Sequence, residues 1–283
     1  MDTFSFFIVD PADPEVLVPQ DMAKSLWSET QMHGVAASGA LARGIERAVA
    51  AAGREDLQAA RVTVDLFSAA RMVPSRVRTT VVREGKRLML VDGELVQGTG
   101  EDEKVVARSS AMFLKPTESP EGLVWSSPDV PDVPPLDVVP PTDTPRVPFL
   151  HSDKEWSQNF LEHANGGHKE MWQAVPPVVH DEEQSWFVSA AAVADSTSMV
   201  VNWGSKGVEF INTDITLAIS RPFIGKEIGL SARDRFEVAG ISVGSTVLID
   251  RTGPVGISMV TAMANAQRTV TFEGAEYNDA PVA

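Results

Sequence analysis

Hydrophobic and polar positions follow the same order of patterns twice along the chain. Each half starts with an apolar run at helical spacing, and four strand-like runs bounded by glycines follow it. The first helical run is rich in alanine, and the second is apolar on nearly every side, which predicts burial. The predicted helices cover 35–49 and 186–201, and the predicted strands cover 61–70, 76–83, 86–97, 105–114, 210–220, 227–238, 244–249 and 255–264.

A shift of about 149–150 residues brings the two halves into register. Arg71 then falls on Arg221, and the segment 105–113 lies over 255–263 without a gap. Residue identity across the shift is low, so the indication comes from the matching order and spacing of the elements. The sequence therefore predicts an internal duplication in which each half wraps a sheet around one helix.

A proline-rich segment separates the halves. Ten prolines, interleaved with Asp and Ser, lie between Pro116 and Pro148. Proline fixes φ and removes a backbone donor, so the segment should run extended over the surface. The predicted organisation is a first module at 1–115, a linker at 116–150, and a second module at 151–283 that ends in a short acidic tail.

Composition narrows the classes of function. The 24 basic and 39 acidic residues give a net charge of −15, which argues against a generic nucleic-acid surface. Without cysteine, disulfides, cysteine nucleophiles and thiolate metal sites are excluded, and the five histidines show no metal-ligand spacing. No secretory signal, membrane-length apolar run or phosphate-cradling glycine loop is evident. We expect a cytoplasmic protein with no metal, no separate cofactor, no nucleic-acid partner and no membrane span.

Short motifs in both halves resemble the acyl-CoA thioesterase II family. His33 and Gly34 precede the first helix as in hotdog proteins, and the Ile-Ser-Arg-Pro-Phe run at 219–223 is similar to a strand end of that family. The stretch between Trp172 and Asp195 resembles the approach to its second helix. The resemblance covers about residues 30–115 and 170–264.

This resemblance implies an α+β fold, the double hotdog, with two antiparallel sheets that each wrap around a long central helix. It also implies association into a homodimer or a higher homo-oligomer, because hotdog modules pair through their sheets.

The resemblance further implies hydrolysis of acyl-CoA thioesters by a water that an aspartate activates. Carried over by position, the helix aspartate is Asp195. Its partner on the next strand is Asn212, where the family usually has threonine, and the glutamine position on the last strand is Thr261. Amide and hydroxyl groups are therefore both present, in exchanged positions, and could still hold a water. Coenzyme A would bind only as part of the acyl-CoA substrate.

Asp195 is notable independently of the family resemblance, because it is the only charged residue among the 16 positions from Trp186 to Val201. Burying a carboxylate is costly unless it is paired or hydrogen-bonded. In a water-filled site, desolvation would raise its pKa towards working pH, which suits a general base. Alternatively, Asp195 caps a second helical segment after a break in the helix.

Other candidates also have two interpretations. Strand alternation places Asn212, Asp214 and Thr216 on one face, which either borders a site or is solvated. Thr261 could be an ordinary β-branched strand residue. The shift sets Glu46 opposite Asp195, so it is either a second, pseudo-symmetric carboxylate or an exposed residue paired with Arg43.

A basic cluster is a candidate for binding the phosphates of coenzyme A. Seven basic residues lie between Arg61 and Arg87, against only Asp65 and Glu84. Taken singly, these residues are more typical of solvated strand faces. The exchange of Asn212 and Thr261 leaves one rival function open, a non-hydrolytic protein that binds acyl-CoA or lipid with a drifted catalytic set.

Overall fold

The computed structural model describes residues 4–265 and 267–272, so the predicted acidic tail beyond Phe272 lies outside the described residues. The helices are α1 (Gly34–Ala51), α2 (Trp186–Ala194) and α3 (Ser196–Asn202), with short 3-10 turns at Asp21–Ala23, Gly100–Asp102 and Phe160–His163. The strands of the first half are β1 (Phe7–Asp10), β2 (Asp13–Pro19), β3 (Lys24–Ser25), β4 (Ser28–Met32), β5 (Gln58–Asp65), β6 (Ser75–Glu84), β7 (Leu88–Gln97) and β8 (Lys104–Leu114). Those of the second half are β9 (Phe149–His151), β10 (Glu170–Ala174), β11 (Trp203–Gly204), β12 (Gly207–Val208), β13 (Phe210–Asn212), β14 (Asp214–Ile219), β15 (Glu227–Val238), β16 (Ile241–Asp250) and β17 (Gly253–Ala264).

One antiparallel sheet joins the two halves. Its order within the described residues is β1-β2-β6-β7-β8-β5-β14-β17-β16-β15-β10-β9, with β13 beside β17. Read from either edge, equivalent strands come in the same order, as an internal duplication predicts. The two separate sheets that we expected are merged, because β5 pairs with β14 at the centre, where Thr63 lies opposite Thr216. This pairing satisfies backbone groups that each half alone would leave at an exposed edge.

Helix α1 forms where the alanine-rich pattern predicts it, and its boundaries have local causes. Ala36 donates its backbone N–H to the His33 ring, which caps the first turn. Gly53 follows the helix with φ of 68°, a left-handed conformation that glycine adopts without strain. Alanine, leucine and isoleucine side chains bury one face against the sheet and α2, namely Ala36, Ala37, Ala40, Leu41 and Ile45.

The second helix is not continuous. Helices α2 and α3 are separated at Asp195, although the backbone there keeps helical angles of φ −62° and ψ −31°. A single long helix is therefore found only in the first half. Three hydroxyl residues follow Asp195, and short polar side chains weaken a helix by competing for hydrogen bonds; the Thr197 hydroxyl, for example, bonds to that of Thr246.

The proline-rich linker contains no helix or strand between β8 and β9. It is anchored where Val139 is buried against Trp172 and Ile249. Arg251 donates hydrogen bonds to the carbonyl oxygens of Pro134 and Val139, at 2.9 and 2.8 Å. The linker thus includes a turn, in which Val139 N–H donates to the Pro135 carbonyl oxygen, and is fixed to the second half of the sheet.

A buried carboxylate holds this anchor in place. Glu227 accepts hydrogen bonds from Trp172 Nε1 at 2.9 Å, from Arg146 at 2.7 Å and from Arg251 Nε at 3.1 Å. The Arg251 guanidinium also lies 4.5 Å from the Trp172 ring centroid. Ion pairing, a cation–π contact and apolar burial therefore all stabilise the packing of the linker against Trp172.

The outer face of β16 and β17 carries exposed hydrophobic side chains, namely Ile241, Ile257, Met259 and Met263. The predicted homo-oligomer stays a prediction. Among the described residues, no helix has the length and apolar character needed to cross a membrane.

Replacing Arg251 by Met should release the linker. The change removes two hydrogen bonds to the linker and one cationic partner of buried Glu227, so we expect a loss of about 2–4 kcal/mol in the free energy of unfolding. Urea unfolding measures this loss, and limited proteolysis should show faster cleavage within 116–148. Arg83→Met, at an exposed arginine of β6, is the control; equal cleavage rates in the two variants would contradict the anchoring role.

Candidate active site

The structure brings together Asp195 and Asn212, two of the three residues predicted for the site. Asp195 lies between α2 and α3, and Asn212 is the last residue of β13. Asn212 Nδ2 donates a hydrogen bond of 2.9 Å to Asp195 Oδ1. The carboxylate is therefore held by an amide from the strand that passes beneath the helix break.

The first half of the chain contributes the start of α1 to the same site. The backbone N–H of Val35 donates a hydrogen bond to the Asp195 carboxylate. A Cβ atom on Gly34 would overlap Asp195 Oδ1, so only glycine lets the helix approach this closely. The negative carboxylate thus lies at the positive end of the α1 dipole. In the sequence Gly34 is notable only as part of a motif, because the residue it contacts lies 161 positions away.

His33 has a structural role beside the site. Its Nδ1 accepts from Ala36 N at 3.0 Å, and its Nε2 lies 2.8 Å from the Met22 carbonyl oxygen, to which it donates. Burial lowers the pKa of His33, so the ring is neutral near pH 7. With both ring nitrogens engaged, His33 caps α1 and is not placed to exchange protons with a substrate.

Burial raises the pKa of Asp195 to about 6, and the hydrogen bonds from Asn212 and Val35 partly offset that rise. The carboxylate is therefore mostly ionised at neutral pH, yet basic enough to accept a proton. The helix break expected from the capping alternative is present, but the Asp195 side chain makes no capping hydrogen bond to α3. Its carboxylate turns to α1 and Asn212 instead.

An irregularity at Thr213 aims Asn212 at Asp195. Residues 210–212 pair with β17 in one register and residues 216–219 in another, displaced by one residue. Such a bulge adds one residue to the strand, so side chains beyond it point to the face opposite to the one that regular alternation predicts. Asn212 consequently points to the helix side, whereas Asp214 points to the outer face of the sheet with Thr261. The prediction that Asn212, Asp214 and Thr216 share one face was wrong, because it assumed an uninterrupted strand.

Thr261 is not brought to Asp195. In the part of β17 around Thr261 the buried side chains are those of Ser258, Val260 and Ala262, and Thr261 lies on the opposite face. Its hydroxyl bonds to Asp214 and lies 3.0 Å from the Thr213 hydroxyl. The position obtained by counting along the chain therefore lies on the outer face of β17, away from Asp195.

Glu46 belongs to α1, and its side chain lies beside the start of α2. It lines a separate cavity of about 360 Å³. The Ser185 side chain hydrogen-bonds to Glu46, and burial raises the pKa of Glu46. Arg43 pairs with Glu182 rather than with Glu46. The expected exposed pair is therefore absent, and Glu46 occupies a position at α2 that is similar to that of Asp195 at α1.

Two cavities meet at the Asp195–Asn212 pair. One is about 220 Å³ and the other about 230 Å³, and both are bordered by Ser25, Trp27 and His33 in addition to the pair. The remaining lining of the first is mainly apolar, with Leu26, Met199, Val208, Phe210, Val270 and Phe272. The second is lined by Met32, Ala37, Leu66, Phe67, Ala107 and Ile211. The Asp195 carboxylate, with its raised pKa, thus lies where two largely apolar cavities meet.

The basic cluster between Arg61 and Arg87 is not a compact phosphate site. Arg78 pairs with Glu94 and Glu103, each at 2.8 Å, and Arg76 pairs with Asp13 at 2.6 Å. These carboxylates come from other parts of the chain, so Arg76 and Arg78 are neutralised by ion pairs that the sequence does not reveal. Within the described residues, no group of three or more His, Asp or Glu side chains is placed to hold a metal ion.

Comparison with known proteins supports the resemblance seen in the sequence. Residues 23–114 match the family model of the acyl-CoA thioesterase N-terminal domain. A comparison with curated proteins finds no match. The family resemblance is thus confirmed through the first half of the chain.

Solved structures extend the similarity of fold over most of the chain. An acyl-CoA thioesterase II from Mycobacterium marinum aligns with a TM-score of 0.59 at 11% identity, over 92% of this chain and 95% of its own. The tesB protein from Mycobacterium avium subspecies paratuberculosis gives 0.58 at 12% identity, over 90% and 95%. A protein of unknown function with a hot dog fold, from Alicyclobacillus acidocaldarius, gives 0.62 at 16% identity, over 93% and 96%. The fold is therefore of the hotdog type, built on a large antiparallel sheet with few helices.

Asp195 should make the stability of the protein depend on pH. Its pKa is about 6 in the fold, against 3.8 for an aspartate in the unfolded chain, so ionisation destabilises the folded state. Relative to Asp195→Asn, the wild type should lose stability as the pH rises from about 4 to about 6, reaching a deficit of about 3 kcal/mol above that window. Urea unfolding of both proteins at several pH values measures the difference. Asp92→Asn, at an exposed position of β7, is the control, and a deficit that stays constant across this range would contradict the raised pKa.

Proposed function

We propose that this protein hydrolyses acyl-CoA thioesters to a free acid and coenzyme A, with Asp195 as the general base. The observation that carries the proposal is the Asp195 carboxylate itself. It has a raised pKa, it is oriented by Asn212, and it lies at the start of α1 where two cavities join. The match of residues 23–114 to an acyl-CoA thioesterase domain supports the same substrate class.

The proposed reaction needs only water and the thioester. A water between Asp195 and the substrate gives a proton to the carboxylate as its oxygen bonds to the thioester carbonyl carbon. The carbonyl oxygen becomes negative in the tetrahedral intermediate. When that intermediate collapses, the carbon–sulfur bond breaks, the sulfur leaves with the electron pair, and protonated Asp195 returns the proton to it. The products are the acid and the thiol, and Asp195 is again ionised.

Two features of the site would stabilise this reaction. The Asn212 amide and the Val35 N–H orient the carboxylate, and its two oxygens can accept further hydrogen bonds, including one from the water. The positive end of the α1 dipole lies beside the reacting centre, where negative charge develops on the carbonyl oxygen. Thr261 has no place in the proposed set, because its hydroxyl bonds to Asp214 on the outer face.

The shape of the site suits a thioester, which has one arm on each side of its carbonyl group. Two cavities diverge from the Asp195–Asn212 pair, and both are largely apolar. One would accept the acyl chain and the other the pantetheine arm. The rival function, non-hydrolytic binding, was suggested by the exchange of Asn212 and Thr261. Because Asn212 still reaches Asp195, the geometry favours hydrolysis.

Thiol release from short-, medium- and long-chain acyl-CoAs tests the proposal directly. We expect Asp195→Asn to lower kcat by about 10²–10⁴-fold, because the variant cannot accept the proton, while far-UV circular dichroism stays unchanged. The control is Asp92→Asn, which should keep full activity. Binding of acyl-CoA without turnover by the wild type would favour the rival function. Turnover that survives Asp195→Asn but is lost in Glu46→Gln would move the activity to the other carboxylate.

The pH profile tests the role of Asn212. In the wild type, kcat/KM should rise through a pH of about 6, the pKa of Asp195, and level above it. Asn212→Ala removes a hydrogen bond that favours the charged carboxylate, so the acid limb should move to higher pH and the plateau should fall by about tenfold or more. The comparison variant is Thr261→Ala, which should leave the limb in place. A shift with Thr261→Ala, or none with Asn212→Ala, would contradict this assignment.

A further inference from the structure

The outer face of the joined sheet, on the side away from the helices, differs between the two halves. In the first half, one row of paired positions from β6 to β5 is fully charged, in the order Arg78, Glu94, Arg108 and Asp65, and Glu94 pairs with both arginines. In the second half, a comparable row from β17 to β15 consists of Thr261, Val243 and Phe236. Equivalent strands have the same places in the sheet, so the fold itself does not require an apolar outer face.

Apolar side chains dominate the outer face of β15, β16 and β17. Ser242 and Thr246 of β16, and Ser258 and Val260 of β17, are buried on the helix side, so the residues that alternate with them point outward. Strand β17 contains no charged residue, and β16 contains only the buried Asp250 at its end. We call the exposed hydrophobic residues of this surface the apolar face: Phe236, Val238, Ile241, Ile257, Met259 and Met263, which are 41–78% exposed.

The two β15 residues belong to the same surface as the others. Phe236 pairs with Val243, and Val238 pairs with Ile241, across the β15–β16 ladder. Residues directly opposite each other in an antiparallel pair share one face of the sheet. The apolar face is therefore continuous over three neighbouring strands.

The linker covers one end of the outer face and leaves the apolar face open. Val139, with Val133 beside it, packs against Trp172 and Ile249. The residues of the apolar face lie further along β15 and β16 and on β17, and they remain exposed within the described part of the chain. Their exposed fractions correspond to roughly 700 Å² of side-chain surface, more than the about 300–600 Å² of the largest apolar patch on a typical monomer.

Area and charge together favour a second copy of this chain as the partner. Each partner in a standard protein interface buries about 800 Å², close to the exposed area of the apolar face. The net charge of −15 repels both a second copy and an anionic membrane, so contact between copies is least opposed where charge is locally absent. A twofold axis through the apolar face would set apolar side chains against apolar side chains, as a symmetric interface requires.

We propose that two copies of this chain associate through their apolar faces, second half against second half. The ion-paired outer face of each first half then stays in water. Asp234 on β15 and Asp214 on β14 lie at the borders of the apolar face, so neither carboxylate is enclosed by the contact. Asp195 lies on the helix side of the sheet, and the dimer is therefore independent of the proposed function.

Sedimentation velocity across a wide range of protein concentration tests this interface. We expect a dimeric wild type, and Ile257→Glu should raise the dissociation constant about a hundredfold, because each copy would bury an unpaired carboxylate. Phe236→Ser, at the exposed end of β15, removes apolar area without adding charge and should raise it about tenfold. Thr80→Glu adds the same charge to the outer face of the first half and should leave the dimer intact. Far-UV circular dichroism of each variant separates loss of the dimer from loss of the fold.

Distances between spin labels identify the faces in contact. The chain has no cysteine, so Ala264→Cys, at the border of the apolar face, and Thr80→Cys each accept one nitroxide label per copy. Electron paramagnetic resonance should give a shorter distance between copies for labels at 264 than for labels at 80, because only the second halves touch.

Three results would overturn the proposal: a monomeric wild type at all concentrations, a dimer unaffected by both Ile257→Glu and Phe236→Ser, or labels that are closer at 80 than at 264. Vesicles of a neutral phospholipid provide the remaining comparison. If the wild type stays monomeric but sediments with these vesicles, and Ile257→Glu does not, the apolar face binds a membrane and the proposed dimer is wrong.

Discussion

The antiparallel pairing of β5 with β14 is the constraint on which the rest of the structure depends. It joins two sheets that would otherwise each end in an unpaired strand, and it packs α1 against α2. Only in this arrangement does the start of α1, from the first half, face Asp195, from the second. The candidate site is therefore a property of the paired halves, and neither half contains it alone.

The chemistry at Asp195 depends on a balance of opposing effects. Burial disfavours the charged carboxylate, whereas the Asn212 amide and the Val35 N–H favour it, and the resulting pKa is about 6. Weaker burial would leave a weak base, and fewer hydrogen bonds would leave a carboxyl that is protonated at neutral pH. Gly34 sets this balance sterically, because any side chain there would push the carboxylate away from the helix. Burial of the charged Asp195 lowers the stability of the folded state, and the packing of the rest of the fold offsets this loss.

The duplication has left two related but unequal carboxylate positions. Glu46 meets the start of α2 much as Asp195 meets the start of α1, and both have a raised pKa. Their surroundings differ, since Asp195 is held by an amide and lies between two cavities, whereas Glu46 bonds to the Ser185 hydroxyl. The Asp195 position therefore combines a carboxylate with an amide partner and two adjoining cavities.

The sequence by itself determined the order of the main helices and strands and singled out Asp195 as a charge within an apolar helical run, because periodicity and a lone charge are local signals. Only the tertiary structure decided which side chains meet. The irregularity at Thr213 sends Asn212 inward and leaves Thr261 outside, and it arises from pairing with β17, some 50 residues later. The ion pairs of Arg76 and Arg78 were likewise hidden, because their carboxylate partners lie elsewhere along the chain. Face, register and net local charge depend on partners far along the chain, and a sequence pattern contains no information on which partners those are.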